Sequence, residues 1–171
     1  SITGAAATGT GLIKLAGADN VTIDGSLAAG SDRSLTITNT SGGAVVWIAT
    51  NATSGANNDT IQNCNLIGPG GFVGQGIIAG SGTTFAGAAE FPNSNNTIQN
   101  NAIKGVVNAA YISGEATTLD QNWLLTQNEV GSATVAEKLA YRGFYVGRAA
   151  NVIISRNVIS GISSSLTTTA T

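Results

Sequence analysis

A strand, a polar corner and a second short strand ending in glycine return five times along this chain, and that repeat narrows the possible folds more than any other feature. The clearest copy reads Asn95-Asn96-Thr97-Ile98-Gln99-Asn100-Asn101-Ala102-Ile103-Lys104-Gly105. An earlier copy is Asn58-Asp59-Thr60-Ile61-Gln62-Asn63-Cys64-Asn65-Leu66-Ile67-Gly68. Later copies start at Asn122 and Asn151, and Asn20-Val21-Thr22-Ile23-Asp24-Gly25 is a shorter first version. Ahead of each copy lies another apolar run: Leu12 to Leu15, Val45 to Ile48, Gly76 to Ile78, Ala109 to Ile112 and Gly143 to Val146. We name these runs A and the two strands of the repeated unit B and C. Taking 15, 48, 78, 112 and 146 as the A anchors gives steps of 33, 30, 34 and 34 residues. The B anchors are Ile23, Ile61, Ile98, Leu125 and Ile154, and strand C recurs as Leu35 to Thr38, Leu66-Ile67, Ile103, Val130 and Ile159.

A fixed three-strand order with a period near 33 residues is the signature of a solenoid. One repeat carries too few apolar side chains to close its own core. Stacked coils do close one: equivalent strands pair in parallel about 4.8 Å apart, and their aligned Ile, Leu and Val fill the bore. The expected fold is therefore all-β, a single-stranded parallel β-helix of about five three-strand coils. Helical repeats and βαβ units need 3.6-period apolar stripes, which are absent. The nearest approach is Val135 to Tyr141, worth one or two turns. An antiparallel sandwich explains alternation but not the recurring order. Residues 1–171 read as one domain, a piece of a longer protein, with residues 1–11 as a partial preceding coil and 163–171 as a linker or a truncated coil. Connection lengths vary most at Ser81 to Asn96, at Pro69 to Phe72 and at Ser132 to Arg142, and solenoid insertions of this kind often carry binding.

Composition removes several functions. The 171 residues include no His, so neither a Ser-His-Asp nor a Cys-His nucleophile can be assembled, nor a His-ligated metal site. A single Cys, Cys64, excludes an internal disulfide and a Cys-rich metal site. Seven basic residues scattered along the chain, at a net charge of -2, do not make a phosphate-binding surface, so nucleic acid is not an expected partner. No apolar run approaches the ~18 residues of a membrane span.

The polar corner after strand B stacks Cys64, Asn101, Asn128 and Asn157. Asn suits a sharp corner, and stacked amides bond to one another, so a structural ladder is the expected role. Cys64 sits in it as a small thiol with no activating neighbour. Alternation on strand A points Lys14, Trp47, Ile77, Tyr111 and Tyr145 outward. On a surface made mostly of Gly, Ala, Ser and Thr, Trp47, Tyr111 and Tyr145 form either a platform for sugar rings or a partner, or a strip that long loops bury. Asp19, Glu90, Glu115 and Asp120 all fall in A-to-B connections, where a meeting would allow a weak oxygen-ligand cation site. No other metal and no cofactor is expected. Arg142, Arg148 and Arg156 gather toward the last coil, with Glu129 and Glu137 as candidate partners or an anionic sugar as the sharper alternative. The Asn-x-Thr/Ser sequons, such as Asn20-Val21-Thr22 and Asn51-Ala52-Thr53, are expected by chance in such a repeat.

The segments Gly11 to Gly25, Ser34 to Thr40 and Asn58 to Cys64 resemble the right-handed parallel β-helix repeats of large secreted surface and adhesin-like proteins of Bacteroidetes-type bacteria, many exported by the type IX route. The likeness covers roughly Ser1 to Ile162. It implies the fold, within the wider pectate-lyase-like superfold, and an extracellular or cell-surface location. It carries no catalytic residue over. The Asn-Thr-Asp, Asp-Asp and Gly-His motifs of polygalacturonase-like members are absent, and no Asp cluster of the pectate-lyase kind aligns. The expected function is a non-catalytic structural or adhesive segment of a secreted protein, binding carbohydrate or a protein partner, with end-to-end self-association as a further mode. The alternative is a polysaccharide lyase or glycoside hydrolase.

Overall fold

A computed structural model describes residues 1–71 and 73–163. Phe72 and residues 164–171, most of the expected linker, lie outside the described residues. The chain is a parallel β-solenoid of about five coils with three main sheets, and every strand pairing in it is parallel. Sheet A contains Gly11–Ala16, Ala44–Ala49, Gln75–Gly80, Asn108–Ser113 and Arg142–Gly147. Sheet B contains Thr22–Asp24, Thr60–Gln62, Thr97–Gln99, Leu124–Thr126 and Ile153–Ser155. Sheet C begins with Ile2–Gly4 and continues through Leu35–Asn39, Cys64–Ile67, Ala102–Lys104, Glu129–Val130 and Val158–Ile159. A small fourth sheet pairs Asp120–Gln121 with Ala149–Ala150 at the A-to-B corner. The Val135 to Tyr141 stretch holds one 3-10 turn, Val135–Glu137.

Strands B and C align as the spacing predicts. Ile23, Ile61, Ile98, Leu125 and Ile154 stack in one column. Ile37, Leu66, Ile103, Val130 and Ile159 stack in another. Each fully buried side chain of this size stabilises the fold by about 1.5–3 kcal/mol relative to exposure. Strand A differs by one residue in its third coil. Ile48 and Ile112 both pair with Ala79, so Ala79 and Ile77 face the core while Ile78 faces out beside Trp47 and Tyr111. The anchors become 15, 48, 79, 112 and 146. The physical reason is that Gly76-Ile77-Ile78-Ala79 carries apolar residues on both faces, so its pattern does not distinguish inside from outside.

The corners divide their work between adjacent residues. The left-handed conformation falls on Asn63, Asn100, Gln127 and Arg156, with φ of 57°, 49°, 58° and 56°. The residue after each turns its side chain into the ladder. A second corner, ahead of strand B, places Asn20, Asn58, Asn95, Asn122 and Asn151 at positive φ. Asn tolerates that conformation better than most residues, which accounts for its recurrence there. The glycine that closes strand C serves the same end at Gly105, Gly131 and Gly161.

Candidate binding face

Outward positions of sheet A form one row, Lys14, Trp47, Ile78, Tyr111 and Tyr145, in register across five coils. Its two halves differ. Over the first half, the long connection after Gly80 folds back. Phe85 meets Trp47 edge-on, with centroids 5.5 Å apart at 85°, and Phe85 and Ala86 cover Trp47 and Ile78. Lys14 Nζ lies 4.0 Å from the centre of the Trp47 ring and donates to the Gly82 carbonyl at 2.7 Å. Trp47 is consequently 3% exposed, so of the three aromatics expected outward it is covered rather than presented. Among the described residues its Nε1 has no hydrogen-bond partner.

The same connection is pinned by Glu90. Its carboxylate accepts from the Ser81 and Thr50 hydroxyls and from the Gly82 N–H at 3.0 Å. Burial works against the charge, but these donors outweigh it and bring the carboxyl down to about 2. A cavity of about 450 Å³ opens beside the strap, lined in part by Lys14, Thr50, Asn51, Glu90 and Phe91.

The second half of the row is open. Tyr111 and Tyr145 stack with centroids 4.5 Å apart and planes 13° from parallel, and both are partly exposed. The Arg142 guanidinium lies 4.3, 4.9 and 5.8 Å from the centres of Tyr141, Tyr145 and Tyr111. Its Nε donates to Asn108 Oδ1 at 2.9 Å, and Asn108 Nδ2 donates to Gln75 Oε1 at 2.8 Å. The planar head is thus held in place, and among the described residues its two terminal nitrogens have no protein acceptor. Sequence reasoning placed Arg142 only in a loose cluster; its position one residue after Tyr141 and three before Tyr145 was the available signal.

At the corner, Cys64, Asn101, Asn128 and Asn157 form a continuous ladder. Asn101 Oδ1 accepts the Cys64 N–H at 3.0 Å, Asn128 Oδ1 accepts that of Asn101 at 3.0 Å, and Asn157 Oδ1 that of Asn128 at 2.9 Å. Each amide nitrogen in turn donates at 2.9 Å to a strand B carbonyl, of Ile61, Ile98 and Leu125 respectively. Buried groups are thereby paired from coil to coil. Burial, with the nearby Asp24 charge, pushes the Cys64 thiol up to about 11.

The four acids of the A-to-B connections do not gather. Asp19 accepts from Asn57 N–H at 2.9 Å, Glu90 pins the strap, and only Glu115 and Asp120 are neighbours. Among the described residues no three Asp, Glu or Cys side chains form a metal-sized group. Asp120 is fully buried. Desolvation raises it to about 6, against N–H donation from Asn93, Glu115 and Trp123. The late arginines do not take the expected partners: Glu129 pairs with Arg33 at 2.9 Å and Glu137 with Lys104 at 3.4 Å. Both pairs bridge coils: Lys104 and Glu137 lie on adjacent ones, whereas Arg33 reaches Glu129 from the connection that stands over later coils.

Among the described residues no helix is long and apolar enough to cross a membrane. Comparison of the chain with sequence families, with curated proteins and with solved structures returns no match.

Proposed function

We propose that this chain is a non-catalytic β-solenoid segment of a secreted cell-surface protein, and that the open half of its A face binds carbohydrate. One observation carries the reading: the near-parallel Tyr111–Tyr145 pair with Arg142 fixed beside it. Pyranose rings present an apolar C–H face that packs on aromatic rings. The free ends of a guanidinium held against that platform suit sugar hydroxyls and, more strongly, a uronate carboxylate. The site therefore favours acidic over neutral glycans.

The test is binding to polygalacturonate and alginate, soluble and insoluble, compared with a neutral glucan. Arg142→Ala should weaken acidic-glycan binding by about tenfold, the equivalent of one charge-assisted contact, and Tyr145→Ala by about tenfold through loss of the stacking face. Unchanged binding in both removes this face from consideration. Incubation with the same polymers also addresses the lyase or hydrolase reading: release of unsaturated or reducing sugar ends would replace the binding proposal with an enzymatic one.

A further inference from the structure

A second site stands on another side of the solenoid, at the B-to-C corner. There a groove of about 360 Å³ is bordered by Ser31, Gln62, Asn63, Gln99, Asn100 and Gln127. Two rows of amides run along it. The inner row is internally satisfied. Asn100 Nδ2 donates to Asn63 Oδ1 at 2.7 Å and to Ser31 O at 2.8 Å, and Asn63 Nδ2 donates to Asp24 Oδ1 at 2.9 Å. The outer row is not. Gln62 gives its Nε2 to Asp24 at 2.8 Å and Gln99 gives its Nε2 to Gln127 Oε1 at 3.0 Å. Among the described residues, Gln62 Oε1, Gln99 Oε1 and Gln127 Nε2 take no protein partner. Two acceptors and a donor are thus left facing solvent, on neighbouring coils about 4.8 Å apart.

The groove's wall is built. The connection between Thr22–Asp24 and Leu35–Asn39 stands over the corner of later coils, held there by Arg33. Its Nε donates to Asn100 O at 2.9 Å, one terminal nitrogen to Asn100 Oδ1 at 3.1 Å and the other to Glu129 at 2.9 Å. Asn65 Nδ2 holds the Arg33 carbonyl at 2.6 Å. An unanchored loop of this length would not keep a groove open. This one is tied to three coils beyond its own, so its side of the groove is formed before any ligand arrives, which lowers the ordering cost of binding.

Charge decides the class of ligand. The Arg33 cation is neutralised by Glu129. Asp24 at one end is held well below the usual carboxylate range by hydrogen bonds from Asn63, Ser26 and Gln62, and Arg156 follows Gln127 at the other end of the corner row. Between these ends the free groups are uncharged amide donors and acceptors. We infer that this groove binds a neutral, polyhydroxylated glycan chain lying along the solenoid axis, its hydroxyls bonding to Gln62, Gln99 and Gln127. The inference does not depend on the A-face reading, which concerns a different sheet and acidic sugars.

The experiment titrates the whole chain with maltohexaose, cellohexaose and mannohexaose. It follows the side-chain amide resonances of Gln62, Gln99 and Gln127 and measures affinity by calorimetry. At least one hexasaccharide should shift those resonances. The double variant Gln99→Ala/Gln127→Ala should lose affinity by about tenfold or more, as expected for two lost hydrogen bonds. Gln127→Glu, which keeps the side-chain length but removes the donor, should weaken binding too. Tyr145→Ala should leave the shifts of these three amides unchanged, and circular dichroism checks that each variant is folded. The inference is overturned if none of the three sugars moves the amides. It is also overturned if binding survives both groove variants or disappears in Tyr145→Ala alone. That last result would favour the A face while ending the claim made for this groove.

Discussion

Adjacent corner residues have separate tasks. Gln127 takes the left-handed backbone, while Asn128 supplies the amide that pairs the Asn101 N–H and the Ile98 carbonyl of the preceding coil. Asn128→Ala would strand the Asn101 N–H and the Ile98 carbonyl. The expected cost is about 2–6 kcal/mol, at about 1–3 kcal/mol for each orphaned group, read from urea denaturation. Asn157→Ala should cost less than half as much, because its rung lies in the more exposed last coil where water can replace the amide. Equal losses would show that the ladder is not what the corner depends on. Asp120 sets a pH dependence. Its folded value of about 6 lies above the unfolded 3.8, so between these values the folded chain keeps a proton that the unfolded chain releases. Its contribution is fully present below about pH 4 and is lost as pH rises through 6. Glu90 acts in the opposite sense, with stability lost as pH falls from 4.5 toward about 2. Thermal melts across pH 3 to 7 should show stability declining between about pH 4 and 6, and Asp120→Asn should flatten that decline. A variant profile identical to the parent's would assign the decline to other groups.

At the scale of elements, the strap after Gly80 converts an aromatic face into two unlike halves. It buries Trp47 against Phe85 and leaves Tyr111 and Tyr145 open. The chain holds two Trp, and Trp123 is fully buried in the core. Phe85→Ala should therefore raise acrylamide quenching of one tryptophan only. Removing Trp123 by a Trp123→Phe change would confirm which one responds. Quenching that does not rise would mean that Lys14 and Gly82 alone keep Trp47 covered. Strand A itself shows how an element sets its own facing. Where the two faces differ, as in Ile13-Lys14-Leu15, alternation settles the register. Where both are apolar, as in Gly76 to Ala79, pairing with the flanking coils settles it.

For the molecule as a whole, each coil pairs its strands only with those of its neighbours, and the Arg33 loop reaches further, so stability should be graded along the axis. Ile61 and Ile98 are fully buried between coils, whereas Ile154 in the same column is 51% exposed, and Ile159, at the end of the strand C column, is 46% exposed. Amide hydrogen exchange should be slowest around Ile61 and Ile98 and faster by more than about tenfold around Ile154, following the usual link between local opening and burial. Uniform protection from the first coil to the last would mean that the solenoid opens only as one unit. The two candidate sites fit this geometry. Each uses a row of side chains repeated once per coil, one on sheet A and one at the B-to-C corner, so each presents its groups along the axis.

The order of strands, the coil period, the stacked B and C columns and the Asn ladder were all legible in the residues. They follow from local rules: alternation, the tolerance of Asn for left-handed backbone, and recurrence of one unit. The exposure of Trp47, the register of Ile78, the partners of Glu129 and Glu137 and the use of Arg142 were not legible. Each depends on which residue of a different coil or loop lies alongside. Arg33 shows this most plainly: it reaches Asn100 and Glu129, which are 67 and 96 residues away along the chain. Repetition specifies what stacks on what; the irregular connections, which share no period, acquire partners only once the coils are wound.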